Sequence, residues 1–277
     1  MWTTSCLSTT WPAWNNWPRC WPRRERKMPV DEFTYGRRQV VTYDHTGQPH
    51  YQYRPLTPED FLDPQEGDAF FHGQRHDQVV QALTRALRWH YRFHPSTIVL
   101  QGVKIRWADR SLPGPAPDLA VVLKGSEPRR PRTFFDVQQE GAHPRFVLEV
   151  TSPRLAHLDR EAKREIYARA GVEEYFLVDW DDPGAEPRLV GYRLAHGAYV
   201  PLAPDVQGRL VSQVLHLALQ AQPGETGVAW VDLRTGRPIT PEPGWTDSPA
   251  EAQAEAHARA RSIADSLSSF LAGGDHA

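Results

Sequence analysis

The sequence has almost no cysteine, and the two cysteines it has both lie near the N-terminus. Cys6 and Cys20 precede residue 28, and the rest of the chain has none. A disulfide framework and a thiolate metal site both need clustered cysteines, so both are excluded from the body of the chain. This usage fits a reducing compartment, and we expect a cytoplasmic protein.

Long apolar runs and a charge excess of one sign are also absent. No run approaches the roughly 18 apolar residues of a membrane-spanning helix, so we expect a soluble protein without a membrane partner. The formal net charge is -2 over 277 residues, of which 40% are hydrophobic and 24% charged. Such values are ordinary for a globular protein. They do not indicate a basic coat for nucleic acid, although a local basic cleft stays open.

The first 27 residues differ from the rest in composition. Tryptophans recur there between Pro, Asn and Thr without a helical or strand period, and the basic residues come last. A signal peptide would instead carry its charges before an apolar core. We interpret residues 1–27 as a tail outside the fold, either disordered or a start-site artefact with Met28 as the natural start. A Trp/Arg anchor for a membrane or a nucleic acid is the alternative.

The patterns predict a main domain over residues 28–222, a linker over 223–247 and a C-terminal amphipathic helix over 248–272. The last begins with the capping box Ser248-Pro-Ala-Glu251, which has Pro at the first helical position. We expect this helix to pack on its own domain or to form a homodimer contact. Its apolar seam consists of Ala256, Ala260, Ile263, Leu267 and Phe270.

Apolar periodicity predicts the elements on either side of the centre of the chain. Spacings of three and four predict helices over Arg75–Tyr91 and near Val211–Gln220. Strand patterns are found at Thr97–Trp107 (bent at Gly102), Asp118–Leu123, Leu189–Arg193 and Tyr199–Pro201.

The stretch from Phe146 to Trp180 predicts a strand, a helix and a second strand. FVLEV is an apolar run, DREAKREIYARAG has helical composition and ends at Gly171, and YFLVDW is rich in aromatic and β-branched residues. A unit of this length joins two parallel strands. Glu149 stands out within it, because a carboxylate on a central strand is costly unless it is paired, hydrogen-bonded or bound to a metal.

Asp118 and Glu149 are candidates for sharing a divalent metal. Asp118 opens one apolar strand, and Glu149 points off the face opposite Phe146, Leu148 and Val150 if the side chains alternate. Carboxylate ligands suit Mg²⁺ or Mn²⁺ better than zinc. Spacing alone also allows a solvent-facing or lysine-paired glutamate and turn chemistry at Asp118.

Asp159, Lys163 and Tyr167 are spaced by four and form one stripe of the predicted helix. A lysine beside two carboxylates and a metal can orient a water or offset charge that develops on a phosphate. An ordinary i,i+4 pair of Asp159 with Lys163 is the alternative. The histidines four apart, His72/His76 and His90/His94, are expected to be solvated or capping side chains because no third ligand lies near in sequence.

Four motifs follow one another along the chain: PD at 117–118, EVTSP at 149–153, D-x-x-x-K-x-x-x-Y at 159–167 and GVEEYFLVD at 171–179. Together they resemble the Uma family of restriction-endonuclease-like proteins, which belongs to the PD-(D/E)XK nuclease superfamily. The resemblance covers roughly residues 55 to 220. It implies an α/β (α+β) fold with a three-layer core, in which helices flank a mixed central sheet. It also implies a metal-dependent endonuclease acting on DNA.

By position, the resemblance implies that Asp118 and Glu149 bind Mg²⁺ or Mn²⁺. The superfamily pattern has a lysine two residues after the second acid, and this chain has Thr151 there. Lys163 is the natural substitute, which makes Asp118, Glu149 and Lys163 the predicted catalytic set. Asp159 and Tyr167 would support it, and the departure at Thr151 leaves open a catalytically inactive nuclease fold that binds nucleic acid or a protein partner. An accessory protein that works through the C-terminal helix is a third reading.

The remaining candidates carry weaker signals. His76 and Asp77 lie where related nucleases place an extra acid on the first core helix, and they fit a helix N-terminal cap equally well. Ser152 fits a turn cap better than a hydrogen bond to metal-bound water. An arginine cluster in a loop could contact phosphates, although solvated surface is the plainer reading; it consists of Arg129, Arg130 and Arg132.

Overall fold

The computed structural model describes residues 33–127, 130–180, 186–224 and 226–245. The predicted tail (1–27), the predicted C-terminal helix (248–272) and Arg129 lie outside these residues. In chain order the elements are β1 (Gly36–Tyr43), β2 (Pro49–Pro55), a 3-10 turn (Glu59–Phe61), β3 (Asp68–Phe70), α1 (Gln74–His90), β4 (Thr97–Leu100), β5 (Lys104–Arg106), β6 (Leu119–Leu123), β7 (Phe134–Asp136), α2 (Val137–Glu140), β8 (Pro144–Val150), a π-helical turn (Leu158–Lys163), α3 (Arg164–Ala170), β9 (Glu174–Asp179), β10 (Arg188–Ala195), β11 (Ala198–Pro201), β12 (Leu210–Ser212), β13 (Leu217–Ala221), β14 (Val228–Asp232) and β15 (Arg237–Pro238).

A six-stranded mixed sheet lies at the centre, in the order β11-β10-β9-β8-β6-β4. β8 and β9 are parallel, and the other neighbours in this sheet are antiparallel. The parallel pair is the unit that the sequence predicts between Phe146 and Trp180, with the π-helical turn and α3 as its connection. The predicted mixed α/β fold is therefore confirmed.

Side chains alternate between the two faces of the central sheet, and each face has its own apolar cluster. On one face, Phe146 and Leu148 pack with Leu83 and Leu87 of α1 and with Trp230 of β14. On the other, Val147 and Leu177 pack with residues of α3, β5 and β7, among them Ile166, Tyr167, Ile105 and Phe135. Fully burying one such side chain contributes roughly 1.5–3 kcal/mol. The alternation of β8 also places Glu149 on the α3 face, opposite Phe146 and Leu148.

Three predicted elements differ from the structure: one helix, the linker and one long strand. The predicted helix near Val211–Gln220 is a pair of strands, β12 and β13, joined by a turn in which His216 has φ +56°. Leu217, Ala218 and Leu219 are all buried in β13 between two neighbouring strands, and this sheet pairing outweighs the spacing of four between Leu215 and Leu219. The predicted linker contains β14, whose Trp230 is fully buried.

The predicted strand over Thr97–Trp107 is divided at Gly102, which has φ +59°. Its first part, β4, is the edge of the central sheet, and its second part, β5, pairs in parallel with β7 in a separate two-stranded sheet. Along the ranges that the structure describes, none of the helices combines the length and the apolar character needed to cross a membrane.

Candidate active site

Two carboxylates lie side by side where β6 begins beside β8. The backbone N–H of Asp118 donates to Oε2 of Glu149 at 3.2 Å, and the N–H of Val150 donates to Oδ2 of Asp118 at 2.8 Å. The antiparallel register that pairs Leu119 with Leu148 makes this exchange possible. Glu149 is 1% exposed. The structure thus brings together the two acids that the sequence predicts.

Lys163 meets the second of these acids. Its Nζ lies 3.0 Å from Oε1 of Glu149 and 3.0 Å from Oδ1 of Asp159. The hydroxyl of Tyr167 donates to the same Oε1 of Glu149 at 2.6 Å. The ring of Phe61, from the 3-10 turn, lies 3.7 Å from Nζ of Lys163. Lys163 and Tyr167 of the predicted stripe therefore converge on Glu149, and Asp159 reaches it through Lys163. Nothing in the sequence pattern predicts the contact with Phe61.

The helix that carries this stripe is not regular. Leu158–Lys163 is π-helical and continues into α3. The carbonyl of Asp159 accepts a hydrogen bond of 2.8 Å from the hydroxyl of Tyr175 on β9. A π-helical turn is rare and occurs often at functional sites. Here it places Asp159 and Lys163, both fully buried, against the acids on the sheet.

His76 on α1 connects to the first acid. Its Nε2 lies 3.1 Å from Oδ2 of Asp118, and its Nδ1 lies 3.1 Å from Oδ1 of Asp77. His76 is 7% exposed, so the expectation of a solvated or capping histidine is wrong at this position. The partner lies 42 residues further along the chain, where spacing on the helix gives no signal. His72 stacks on His76 with ring centroids 4.3 Å apart.

Thr151, at the position of the superfamily lysine, belongs to a neighbouring cluster. Its hydroxyl donates to Oδ1 of Asp179 at 2.7 Å. The same carboxylate accepts hydrogen bonds from Arg160 at 2.7 and 3.0 Å and from Arg188 at 2.5 Å. Thr151 therefore holds the end of β8 to β9 through Asp179.

Ser152 closes a turn through its backbone. Its carbonyl accepts from the N–H groups of Leu155 and Ala156 at 3.1 and 2.9 Å. Its buried hydroxyl has no hydrogen-bond partner among residues 33–127, 130–180, 186–224 and 226–245. The expected capping function is thus met by the carbonyl oxygen instead of the side chain.

The arginines of the loop before β7 are tied to Glu140. Nε of Arg132 lies 3.0 Å from Oε1 of Glu140, and the side chain of Arg132 is 3% exposed. Arg130 pairs with Glu140 and, at 2.8 Å, with Glu127. Arg132 is therefore neither solvated surface nor presented to a phosphate, and its expected contact with nucleic acid is not supported by its surroundings.

Burial and charge act against each other throughout this cluster. Burial raises the pKa of Glu149 to about 8 and that of Asp159 to about 6, and the nearby carboxylate of Asp118 adds to both shifts while Lys163 opposes them. Burial would lower the pKa of Lys163, but Asp159 and Glu149 raise it above its ordinary value. Lys163 is therefore charged near neutral pH, whereas burial favours the protonated form of Glu149.

His76 and Asp118 are also buried, but each stabilises the charged form of the other. Burial disfavours a charged His76, yet Asp118 and then Asp77 raise its pKa to about 9. His76 in turn holds the pKa of the buried Asp118 carboxyl below its ordinary value. Lys163 and His76 together supply two positive charges against the three carboxylates Asp118, Glu149 and Asp159. When all three are ionised, one negative charge is in excess, and a further cation would stabilise that state.

A cleft of about 750 Å³ opens above Asp118 and His76. Phe61 and Phe70 lie in its wall, together with two basic residues. Lys104 is 2.8 Å from Oδ1 of Asp63, whereas the guanidinium of Arg106 stacks 3.5 Å above the ring of Phe134. The walls therefore combine cations and aromatic rings, which suits a polyanion with planar groups.

The donor set fits a hard divalent cation such as Mg²⁺. Mg²⁺ is commonly held by one or two carboxylates, with waters and phosphate oxygens as its other ligands. Asp118 and Glu149 supply two carboxylates, and a cation bound between them would favour the ionised form of Glu149 against the effect of burial. Within the part of the chain that the structure describes, no group of three or more His, Cys, Asp or Glu side chains is arranged to hold a metal. A cation here would thus depend on water or substrate for most of its ligands.

We expect replacement of His76 by Gln to lower the free energy of unfolding by an amount that depends on pH. A rise of the pKa from 6.5 to about 9 corresponds to about 3 kcal/mol of stability, fully present below pH 6.5 and lost as the pH rises through 9. The difference in free energy of unfolding between wild type and His76→Gln should therefore be larger at pH 6 than at pH 10. Urea unfolding in a metal chelator measures it, with His50→Gln, at an exposed histidine outside the cluster, as control. A difference independent of pH would contradict the assigned ion pair.

Residues 52–224 match a family model with the description "Uma2: Putative restriction endonuclease". The matched range contains Asp118, Glu149 and Lys163. Among solved structures, the chain is similar to a crystal structure titled as a putative nuclease belonging to DUF820 from Anabaena variabilis ATCC 29413. The two are 14% identical with a TM-score of 0.40, and the match covers 58% of this chain and 91% of that one. No curated protein matches the chain.

Proposed function

Because the chain belongs to the Uma2 family, described as putative restriction endonucleases, we propose that it is a metal-dependent endonuclease that hydrolyses phosphodiester bonds of DNA. The observation that carries the proposal is the convergence of Asp118, Glu149 and Lys163 beside an open cleft. A buried carboxylate with its pKa raised to about 8 is costly for the fold, and such costs occur where chemistry requires them.

Asp118 and Glu149 would hold Mg²⁺ or Mn²⁺ at the end of the cleft. When bound, the ion polarises a phosphate oxygen and lowers the pKa of a water. The protein's own contribution is to orient both carboxylates and, through Lys163, to oppose the effect of burial on the pKa of Glu149. Backbone donors fix Asp118, and the hydroxyl of Tyr167 fixes Oε1 of Glu149. His76 adds a positive charge beside Asp118, at the floor of the cleft.

Lys163 is proposed to act through Glu149 instead of touching the substrate. It is 0% exposed, and Phe61 lies against its ammonium group and also lines the cleft. A lysine 3.0 Å from a buried carboxylate favours the ionised form of that carboxylate. This differs from the expectation that Lys163 positions the attacking water. It makes Lys163 a positioning residue, with Asp159 as the second carboxylate that keeps it charged.

The test of the proposed function is nicking of a supercoiled plasmid. We expect the wild type to nick it in Mg²⁺ or Mn²⁺ and to stop when EDTA is added. Calorimetric titration with Mn²⁺ should show binding to the wild type, and Asp118→Asn should bind at least about tenfold more weakly because one of two anionic ligands is lost. Equal Mn²⁺ binding by both proteins would remove the metal assignment.

One observation favours the second candidate function, a nuclease fold that binds nucleic acid without cutting it. The position of the superfamily lysine is occupied by Thr151, which is engaged with Asp179. A wild type that binds DNA but leaves the plasmid supercoiled in Mg²⁺ and in Mn²⁺ would establish this alternative.

A further inference from the structure

β1 and β2 form a two-stranded ribbon with side chains that are exposed along most of its length. Every residue of β2 is exposed. One face of the ribbon carries the side chains of Val41, Tyr43, Tyr51 and Tyr53, which are 41%, 71%, 59% and 48% exposed. Val41 pairs with Tyr51 across the ribbon, so these side chains form one continuous apolar and aromatic stripe. An exposed stripe of this kind marks an interaction surface.

The charges on the ribbon indicate the kind of partner. Between residues 36 and 55 there are three arginines and a single acid, Asp44, although the whole chain has a net charge of -2. Arg37 lies 4.5 Å above the ring of Tyr53 on the aromatic face. Among the described ranges of the chain, Arg37 and Arg54 form no ion pair. Cations interleaved with aromatic rings are complementary to nucleic acid, in which phosphates alternate with planar bases.

The third arginine fixes the base of the ribbon. Arg38 contacts Asp68 of β3 at 2.6 Å and Asp60 at 2.8 Å. β3 pairs with the first residues of β1, and Asp68 and Phe70 of β3 line the cleft. The ribbon therefore starts at the wall of the candidate active site. Seven paired residues extend about 23 Å at 3.3 Å per residue. A two-stranded ribbon is one of the elements that fit the major groove of a duplex.

We propose that the β1–β2 ribbon is an arm that binds nucleic acid beside the cleft. Arg37 on the aromatic face and Arg54 on the opposite face contact phosphates, and Tyr51 and Tyr53 pack against sugars and bases. The proposal rests on the proposed function, because it takes the substrate of the same site to be DNA. A second copy of this chain is a poorer occupant, since a two-fold contact through the aromatic face would place Arg37 of both copies in one interface.

The test is binding of a fluorescent 30-base-pair duplex in EDTA, followed by anisotropy at several salt concentrations. Arg37→Gln/Arg54→Gln should weaken binding at least tenfold and reduce the slope of log K against log salt by about 2, as expected for two lost phosphate contacts. Tyr51→Ala/Tyr53→Ala should also weaken binding about tenfold or more, because each lost stacking contact is costly. Circular dichroism checks that the variants are folded.

Two matched controls replace exposed residues that lie outside the ribbon. Arg234→Gln removes an arginine with a side chain that is 85% exposed, and Val206→Ala trims a fully exposed apolar residue. Both should bind the duplex like the wild type, with an unchanged salt slope. A loss of affinity in the controls equal to that of the ribbon variants would overturn the proposal, because binding would then follow overall charge.

The outcomes separate this inference from the proposed function. Ribbon variants that bind like a wild type with nicking activity would overturn the arm and leave the endonuclease in place. A wild type that binds through the ribbon without nicking would support the arm and contradict the endonuclease. A dimer by light scattering that becomes a monomer in Tyr51→Ala/Tyr53→Ala, with DNA affinity unchanged, would assign the ribbon to contact between copies and overturn the arm.

Discussion

Glu149→Gln is expected to lower plasmid nicking by about 10³-fold or more, which corresponds to about 4 kcal/mol of lost transition-state stabilisation, while leaving the protein about as stable as the wild type. The amide oxygen can still accept the hydrogen bond from Tyr167, whereas the NH2 group cannot accept the one from the Asp118 N–H. This loss is offset because a neutral amide replaces a carboxyl that burial already favours in its neutral form, and Asp118 and Asp159 then balance Lys163 and His76. The high cost of an ionised group at this position, reflected in a pKa of about 8, disappears. The amide is a poor ligand for Mg²⁺, so the activity is lost.

Glu174→Gln is the matched control for this variant. Glu174 is also 1% exposed and lies on β9, next to β8. Its carboxylate is satisfied by Arg193, by the hydroxyl of Ser212 and by the N–H of Gln213. The amide cannot satisfy all these donors, so we expect a loss of about 2 kcal/mol of stability and unchanged nicking per folded molecule. Thermal unfolding and nicking rates measure both. A Glu149→Gln variant that nicks like the wild type would exclude Glu149 from the site.

Lys163→Met is expected to destabilise the protein by about 3–5 kcal/mol, the usual cost of removing one partner from a buried ion pair. Both Glu149 and Asp159 then lose the cation that lies 3.0 Å away. Folded-state pKa values already raised to about 8 and about 6 would rise further. An acid with a raised folded pKa loses stability as the pH climbs above its unfolded value. The variant should therefore be much less destabilised at pH 5 than at pH 8.

A double-mutant cycle makes this second prediction specific. In Lys163→Met/Glu149→Gln, one carboxylate is neutralised along with the lysine, so part of the lost stability should return and the pH dependence should weaken. Lys104→Met, which removes a partly exposed pair with Asp63, should cost less than about 1 kcal/mol. Urea unfolding at pH 5 and pH 8 measures all three. Equal losses for Lys163→Met at both pH values would show that the carboxylates do not depend on the lysine.

The sequence was sufficient to predict the centre of this site. Glu149 interrupts an apolar strand, which is visible without a structure because a buried charge needs a partner. Lys163 and Tyr167 follow at helical spacing, and local spacing determines which side chains share a face. Their convergence on Glu149 therefore required only local periodicity and the parallel crossover from β8 to β9.

Contacts between distant segments could not be predicted in the same way. His76 and Phe61 reach the cluster from α1 and from a three-residue turn, and neither position has a pattern that points to Asp118 or Lys163. The pairing of Thr151 with Asp179 depends on the register of two strands, which composition does not reveal. The spacing of four between Leu215 and Leu219 predicts a helix where the structure has β13. The pairing of β13 with β12 and β14 involves distant residues, which that spacing does not reveal.

The π-helical turn over Leu158–Lys163 also bears on how relatives of this chain should be aligned and engineered. Its hydrogen bonds close over one residue more than those of an α-helix. A relative with a regular helix over the same stretch reaches α3 with one residue fewer, so an ungapped alignment pairs its lysine with the wrong neighbour. Deleting one residue from this turn would rotate the preceding part of the helix by about 100° relative to Lys163. The residues that precede the turn would then lose their register with α3, so grafts of this site should carry the whole turn.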